Sequence, residues 1–133
     1  MYEPYTRQSL PSKEYRELLG TALCVFNSNN AFIIENILRN DEDSNYDWYK
    51  LIDTESGNLR SCIKETITKK FNDSIEHLFS EIVKLRNRII HSFQITLDEE
   101  QILATKEKKT NNQFVITKEY LMNFIRENEK LST

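Results

Sequence analysis

At 133 residues and a net charge of −3, the chain has room for one domain with a single core and too little positive charge for indiscriminate nucleic-acid binding. Charged residues make up 29% of it, and no apolar run approaches the ~20 residues needed to span a bilayer, which excludes a helical membrane protein. Two Gly and two Pro leave few turns and no flexible linker, so long helices are favoured over a many-stranded fold. The first residues, Met1 to Arg7, carry no apolar signal region, and the expected location is the cytoplasm.

Residues 1–11 lack periodicity and end in Pro11, which reads as an extended N-terminal arm. Ser12 is a suitable N-cap with Glu14 in the first turn, and from Tyr15 to Leu38 apolar residues recur at intervals of three and four. This predicts one long amphipathic helix, with the poor helix formers Asn27-Ser28-Asn29-Asn30 as the place for a bend. Asn29 and Asn30 interrupt the apolar stripe, either as polar contacts inside the core or as amides facing a cleft. Glu35, further along, is a candidate partner for a buried cation.

Asn40 to Ser44 is an acidic loop without a His or further acid at metal-ligand spacing, so no metal site is expected. Tyr46, Trp48, Tyr49, Leu51 and Ile52 predict a short aromatic helix capping the core. Gly57-Asn58 breaks the pattern, and Leu59, Cys62, Ile63, Ile67 and Phe71 predict a third helix up to Asn72. Cys24 and Cys62 fit neither a zinc nor a redox spacing, and each is expected to be a buried thiol. Asp73 or Ser74 caps a fourth helix, on which His77 lies at the surface. Beyond Phe93 the period changes: residues 96–100 are turn-like, and residues 101–106 and 113–117 read as a hairpin around Thr110-Asn111-Asn112. Thr117 then caps a last helix carrying Tyr120, Leu121, Phe124, Ile125 and Leu131. The expected fold is mainly α, one domain over residues 1–133. It is an up-and-down bundle of four or five helices with a small two-stranded β-hairpin, in the region 94–117, before the last helix.

The fourth helix holds the chemistry. Ile75, Leu78, Phe79, Ile82, Leu85, Ile89, Ile90 and Phe93 form one broad apolar face, and Arg86 falls in its middle. Burying an unpaired guanidinium costs several kcal/mol, because Arg loses hydration and does not shed its proton. Asn87 and His91, four residues apart, share a face beside Val83 and Ile90. Residues 60–91 hold seven Lys/Arg against four Asp/Glu, the one basic third of the chain. Arg60, Lys64, Lys69, Lys70, Lys84, Arg86 and Arg88 are thus the cations available to an RNA backbone, or else complements to a helix dipole.

The spacing Arg86-Asn87-x-x-x-His91, late in a long helix and followed by a hairpin pattern and a last helix, resembles the signature of the HEPN superfamily. Those are small helical domains, many of them metal-independent ribonucleases of toxin–antitoxin, abortive-infection and other antiviral defence systems. The resemblance implies an endoribonuclease without metal or other cofactor, in which Arg86 and His91 are the catalytic pair and Asn87 their polar helper. Arg88, Lys84, Asn30 and Glu35 are the further candidates for contact with the RNA substrate. The residue types suit the reaction: RNA brings its own nucleophile, imidazole moves protons at cellular pH, and a guanidinium holds two phosphate oxygens.

Arg86 and His91 are five residues apart, about 140° around an ideal helix axis, and are therefore not expected on one face. A composite site at the two-fold axis of a homodimer would resolve this, and the resemblance implies such dimers. The toxins of the superfamily silenced by a paired nucleotidyltransferase often carry Tyr two residues after the His; here that residue is Phe93. Two other classes remain open: a catalytically silent helical dimer that binds a nucleotide or protein partner, and a small regulatory or antitoxin-like subunit.

Overall fold

The computed structural model describes residues 1–132. It is mainly helical, with five α-helices and a three-stranded antiparallel sheet inserted before the last helix. Helix α1 runs unbroken over Lys13–Arg39, so the cluster of asparagines does not end it. Ser12 caps it, its hydroxyl accepting from the Tyr15 N–H at 3.2 Å. The apolar spacing buries Tyr15, Ala22, Phe26, Ile33, Ile34 and Ile37 along one side, as a period of 3.6 requires.

The N-terminal arm is not extended. It closes on itself through hydrogen bonds between Met1 and Leu10, and it is tied to α1 by an Arg16–Glu3 ion pair at 2.8 Å.

Helix α2 (Trp48–Asp53) buries Leu51, while Trp48 and Tyr46 pack at the core's margin and Tyr49 is exposed. A 3-10 turn over Ser56–Asn58 leads into α3 (Leu59–Ile63), which continues through a π turn over Lys64–Thr68. Thr66 Oγ1 donates to Cys62 O at 2.7 Å in that widened turn, a side-chain bond that competes with the regular ladder. Phe71, expected to close the apolar stripe, lies beyond the helix end and is exposed. Cys24 is exposed and Cys62 half-buried, contrary to the expectation that both thiols are enclosed. For Cys24 the cause is its place on the outer side of α1, between the inward-facing Ala22 and Phe26.

Helix α4 (Ser74–Ile90) and helix α5 (Lys118–Ser132) complete the core. Phe26 stacks with both Phe79 and Phe124 at 6.2 Å between ring centroids. At the start of α4, Glu76 is buried and pairs with Arg60 and Lys64, so these two cations serve the fold.

The sheet has the order β1-β2-β3, from β1 (Phe93–Leu97), β2 (Glu100–Lys106) and β3 (Gln113–Val115). The expected hairpin is β2–β3; β1 was not expected. The sequence Phe93-Gln-Ile-Thr-Leu97 alternates with period two, and a two-residue turn with positive φ at Asp98 (50°) and Glu99 (66°) joins it to β2. Phe93 therefore belongs to a strand and is exposed, not to the apolar face of α4. Thr105 on β2 fastens the sheet to α4, its hydroxyl donating to His91 O at 2.9 Å. No described helix is long and apolar enough to cross a membrane.

Candidate active site

Arg86 is half-buried on the inner side of α4, and its guanidinium carbon lies 4.8 Å from the centre of the Phe26 ring. Nη2 donates to Asn87 Oδ1 at 2.8 Å, while Nε is enclosed with no hydrogen-bond partner. Burial pushes the guanidinium pKa down and the charge of Glu55 pulls it back up; the group remains a cation. Glu55, from the segment before the 3-10 turn, lines the cavity with Arg86 and is the carboxylate whose charge it feels, without a direct ion pair. Glu35 is exposed on α1, because its position in the helix turns it away from the side that carries Phe26 and Ile33.

His91 closes α4. Its N–H donates to Asn87 O at 2.9 Å, its backbone leaves the helix at φ −94° and ψ 48°, and its side chain is exposed. A cavity of about 660 Å³ wraps around this end of the helix and is lined by Arg86, Asn87 and His91 together. Arg86 and His91, not expected on one helix face, border one cavity within a single chain. The long Arg side chain reaches over Phe26 of α1, and the cavity extends around the helix terminus to the imidazole.

The asparagines of α1 divide between the two readings. Asn29 is buried and donates to Asn128 of α5 at 2.8 and 3.0 Å, whereas Asn30 lines the cavity and accepts from Ser56 Oγ at 2.9 Å. Lys84 and Arg88 do not line this cavity but a neighbouring groove; Arg88 Nη1 donates to Lys106 O at 2.6 Å, and Lys84 pairs with Glu81 on the surface. Lys70 pairs with Glu42 and, with Lys69, stands at a different cleft beside the acidic loop.

Three site residues were missed from sequence. Glu55 and Ser56 arrive because the turn after α2 folds over the middle of α1 and the end of α4. Lys108 arrives from the β2–β3 loop, where Lys106-Glu-Lys-Lys109 was legible as a basic cluster but not as one lying over α4. Among the described residues no three or more His, Cys, Asp or Glu converge as a metal site.

Chemically, the cavity offers two cations for phosphate oxygens, an exposed imidazole for proton transfer and amides for orientation, opposed by the single carboxylate of Glu55. No family model matches the chain, and no curated protein or solved structure matches it either.

Proposed function

We propose that the chain is a metal-independent endoribonuclease of the HEPN type, cutting RNA by attack of its own 2′-hydroxyl. The observation that carries this reading is that Arg86, Asn87 and His91, whose spacing resembles that superfamily's signature, line one cavity together with Lys108. The 2′-oxygen forms a bond to phosphorus as the bond to the 5′-oxygen breaks, so the products are a 2′,3′-cyclic phosphate and a 5′-hydroxyl. His91 takes or returns the proton, Arg86 and Lys108 hold the charge of the crowded phosphorane, and Asn87 orients the guanidinium it already contacts.

One imidazole per cavity supplies one proton-transfer group, whereas the reaction uses a base and an acid. A homodimer with the ends of α4 near a two-fold axis supplies the second from its partner copy. Ile52 and Ile90, exposed where they line the cavity, and Phe93 beside it give such a seam its apolar surface. The setting implied by the resemblance is phage defence or toxin-like growth control in the cytoplasm, on a helical-bundle scaffold, with an antitoxin or regulatory protein as a further partner. Phe93 has no oxygen to receive a nucleotide, so control by nucleotidyl transfer to that position is not available.

Total RNA incubated in EDTA tests the reading. Wild type should cut it and leave the cyclic ends, DNA should stay intact, and His91→Ala should be slower by at least ~10²-fold. Melting of that variant should match wild type, because the imidazole is exposed. Activity lost in EDTA, or a fully active His91→Ala, would sink it. The second reading, a catalytically silent dimer that binds a nucleotide or protein partner, is favoured by the inward engagement of Arg86 with Phe26; a wild-type dimer that binds a mononucleotide and leaves RNA uncut would support it.

A further inference from the structure

Beside the Arg86 cavity, and sharing Asn87 and Lys108 with it, lies a second groove of about 580 Å³. Its cations come from two elements, Lys84 and Arg88 on α4 and Lys108 and Lys109 in the β2–β3 loop; against these four stand Glu107 in the lining and Glu81, which pairs with Lys84 at 3.1 Å. Among them stand two aromatic rings, Phe114 of β3 and Tyr120 of α5, with centroids 5.9 Å apart and planes tilted by 44°.

The rings are held differently. Tyr120 packs against the core and its hydroxyl donates to Leu85 O at 3.1 Å, which fixes α5 to α4. Phe114 is half-exposed on the edge strand β3 and leans on Tyr120 outside the buried core. An aromatic face surrounded by cations suits an unpaired base and its flanking phosphates: the ring stacks on the base, and the ammonium and guanidinium groups meet phosphate oxygens. A duplex keeps its base faces in the stack and does not present them to such a groove.

We propose that this groove holds a nucleotide of single-stranded RNA next to the linkage that is cut, its base on Phe114 and its phosphates on Lys109, Arg88 and Lys84. Lys108 joins the groove to the Arg86 cavity. The inference rests on the endoribonuclease reading. Two discriminations then separate physically: the groove selects an unpaired strand through base faces and phosphates, while the cavity selects ribose because only the 2′-hydroxyl can attack. Single-stranded DNA therefore enters the groove, is not cut, and competes with RNA.

The test is fluorescence anisotropy of the full chain with a labelled single-stranded oligodeoxynucleotide of about eight nucleotides, against the same sequence as a duplex. DNA is not a substrate, so binding is read apart from catalysis. The single strand should bind at least ~10-fold tighter than the duplex, and Phe114→Ala should weaken it about fivefold or more. Lys109→Gln should lower the salt dependence by about one charge, and Phe71→Ala, another exposed phenylalanine, should change nothing. In RNA cleavage the two groove variants should raise KM and leave kcat in place, with circular dichroism verifying that both are folded.

DNA binding of this pattern without any RNA cleavage would keep the groove as a single-strand site and remove the nuclease. Cleavage with wild-type KM and wild-type DNA affinity in both groove variants would keep the nuclease and remove the groove. Equal affinity for duplex and single strand, or no binding of the single strand, also overturns the inference.

Discussion

Arg86 is a cation held where water would serve it better. Its Nε is enclosed without a partner, and the compensation on hand is a Phe26 ring at 4.8 Å, one amide oxygen and the charge of Glu55. A stacked cation contributes about 0.5–2 kcal/mol, less than the several kcal/mol that burying an incompletely paired guanidinium costs. Arg86→Met keeps the stem over Phe26 and removes the charge. It should melt at or above the wild-type temperature while losing RNA cleavage, which separates a group kept for chemistry from one kept for folding. A fall of several degrees would instead assign the guanidinium to the packing of α4 on α1.

Glu76 is the opposite case. Its side chain is 4% exposed, Arg60 Nε donates to it at 2.9 Å, and Lys64 stands at 3.5 Å. The Arg60 hydrogen bond, with help from Lys64, holds its carboxyl below the usual carboxylate range. A depressed folded pKa stabilises fully above the unfolded value of about 4.5 and is lost as pH falls through the lower folded value. Urea midpoints between about pH 3 and pH 7 should therefore rise less steeply in Glu76→Gln than in wild type, and the two should converge in acid. Parallel curves would contradict the pairing.

At the scale of elements, the hairpin β2–β3 decides what surrounds the end of α4. Thr105 of β2 donates to His91 O and Lys106 O accepts from Arg88, so the strand is fastened to the helix and its loop brings Lys108 to the cavity. The loop between Lys106 and Gln113 carries Lys108 and Lys109 and turns through Asn111 at φ 62°. Replacing residues 107–112 by Asn-Gly, a two-residue turn suited to antiparallel strands, should preserve the fold and remove both lysines. Circular dichroism should be unchanged while KM for RNA rises about tenfold or more, on the scale of losing two phosphate contacts. Unaltered KM would mean that the loop is not part of the substrate path.

At the scale of the whole molecule, the proposed reaction depends on how many copies contribute to one site. Val83, which the helix pattern places beside Asn87 and His91, is buried in the fold, where a methyl on Gly57 would stand 4.0 Å from its Cγ1. Ile90 at 51% exposure, Ile52 at 45% and Phe93 at 44% remain outside, grouped around the end of α4. Arg86 and His91 border one cavity within a chain, and under the proposed reaction a partner copy would supply the second proton-transfer group. Light scattering at about tens of micromolar should give a dimer, and Ile90→Glu should give a monomer with at least ~10²-fold less activity. A fully active monomer would place the whole reaction in one chain.

The sequence by itself determined the long helix from Lys13, the caps at Ser12 and Thr117, the β2–β3 hairpin and the helix that presents Arg86, Asn87 and His91. These follow from periodicity and side-chain-to-backbone bonds within a few residues, which are local and can be read along the chain. Strand β1 is equally legible in the alternation of Phe93, Ile95 and Leu97, although Phe93 also fits the three-and-four spacing of α4, which ends at Ile90. Only the tertiary structure decided which of two adjacent asparagines faces the core, that Glu55 and not Glu35 lines the cavity with Arg86, and that Lys108 reaches it. Each of those is a meeting of segments distant in sequence, and it depends on how the 54–58 turn and the β2–β3 loop pack against α4, which no spacing along one element encodes.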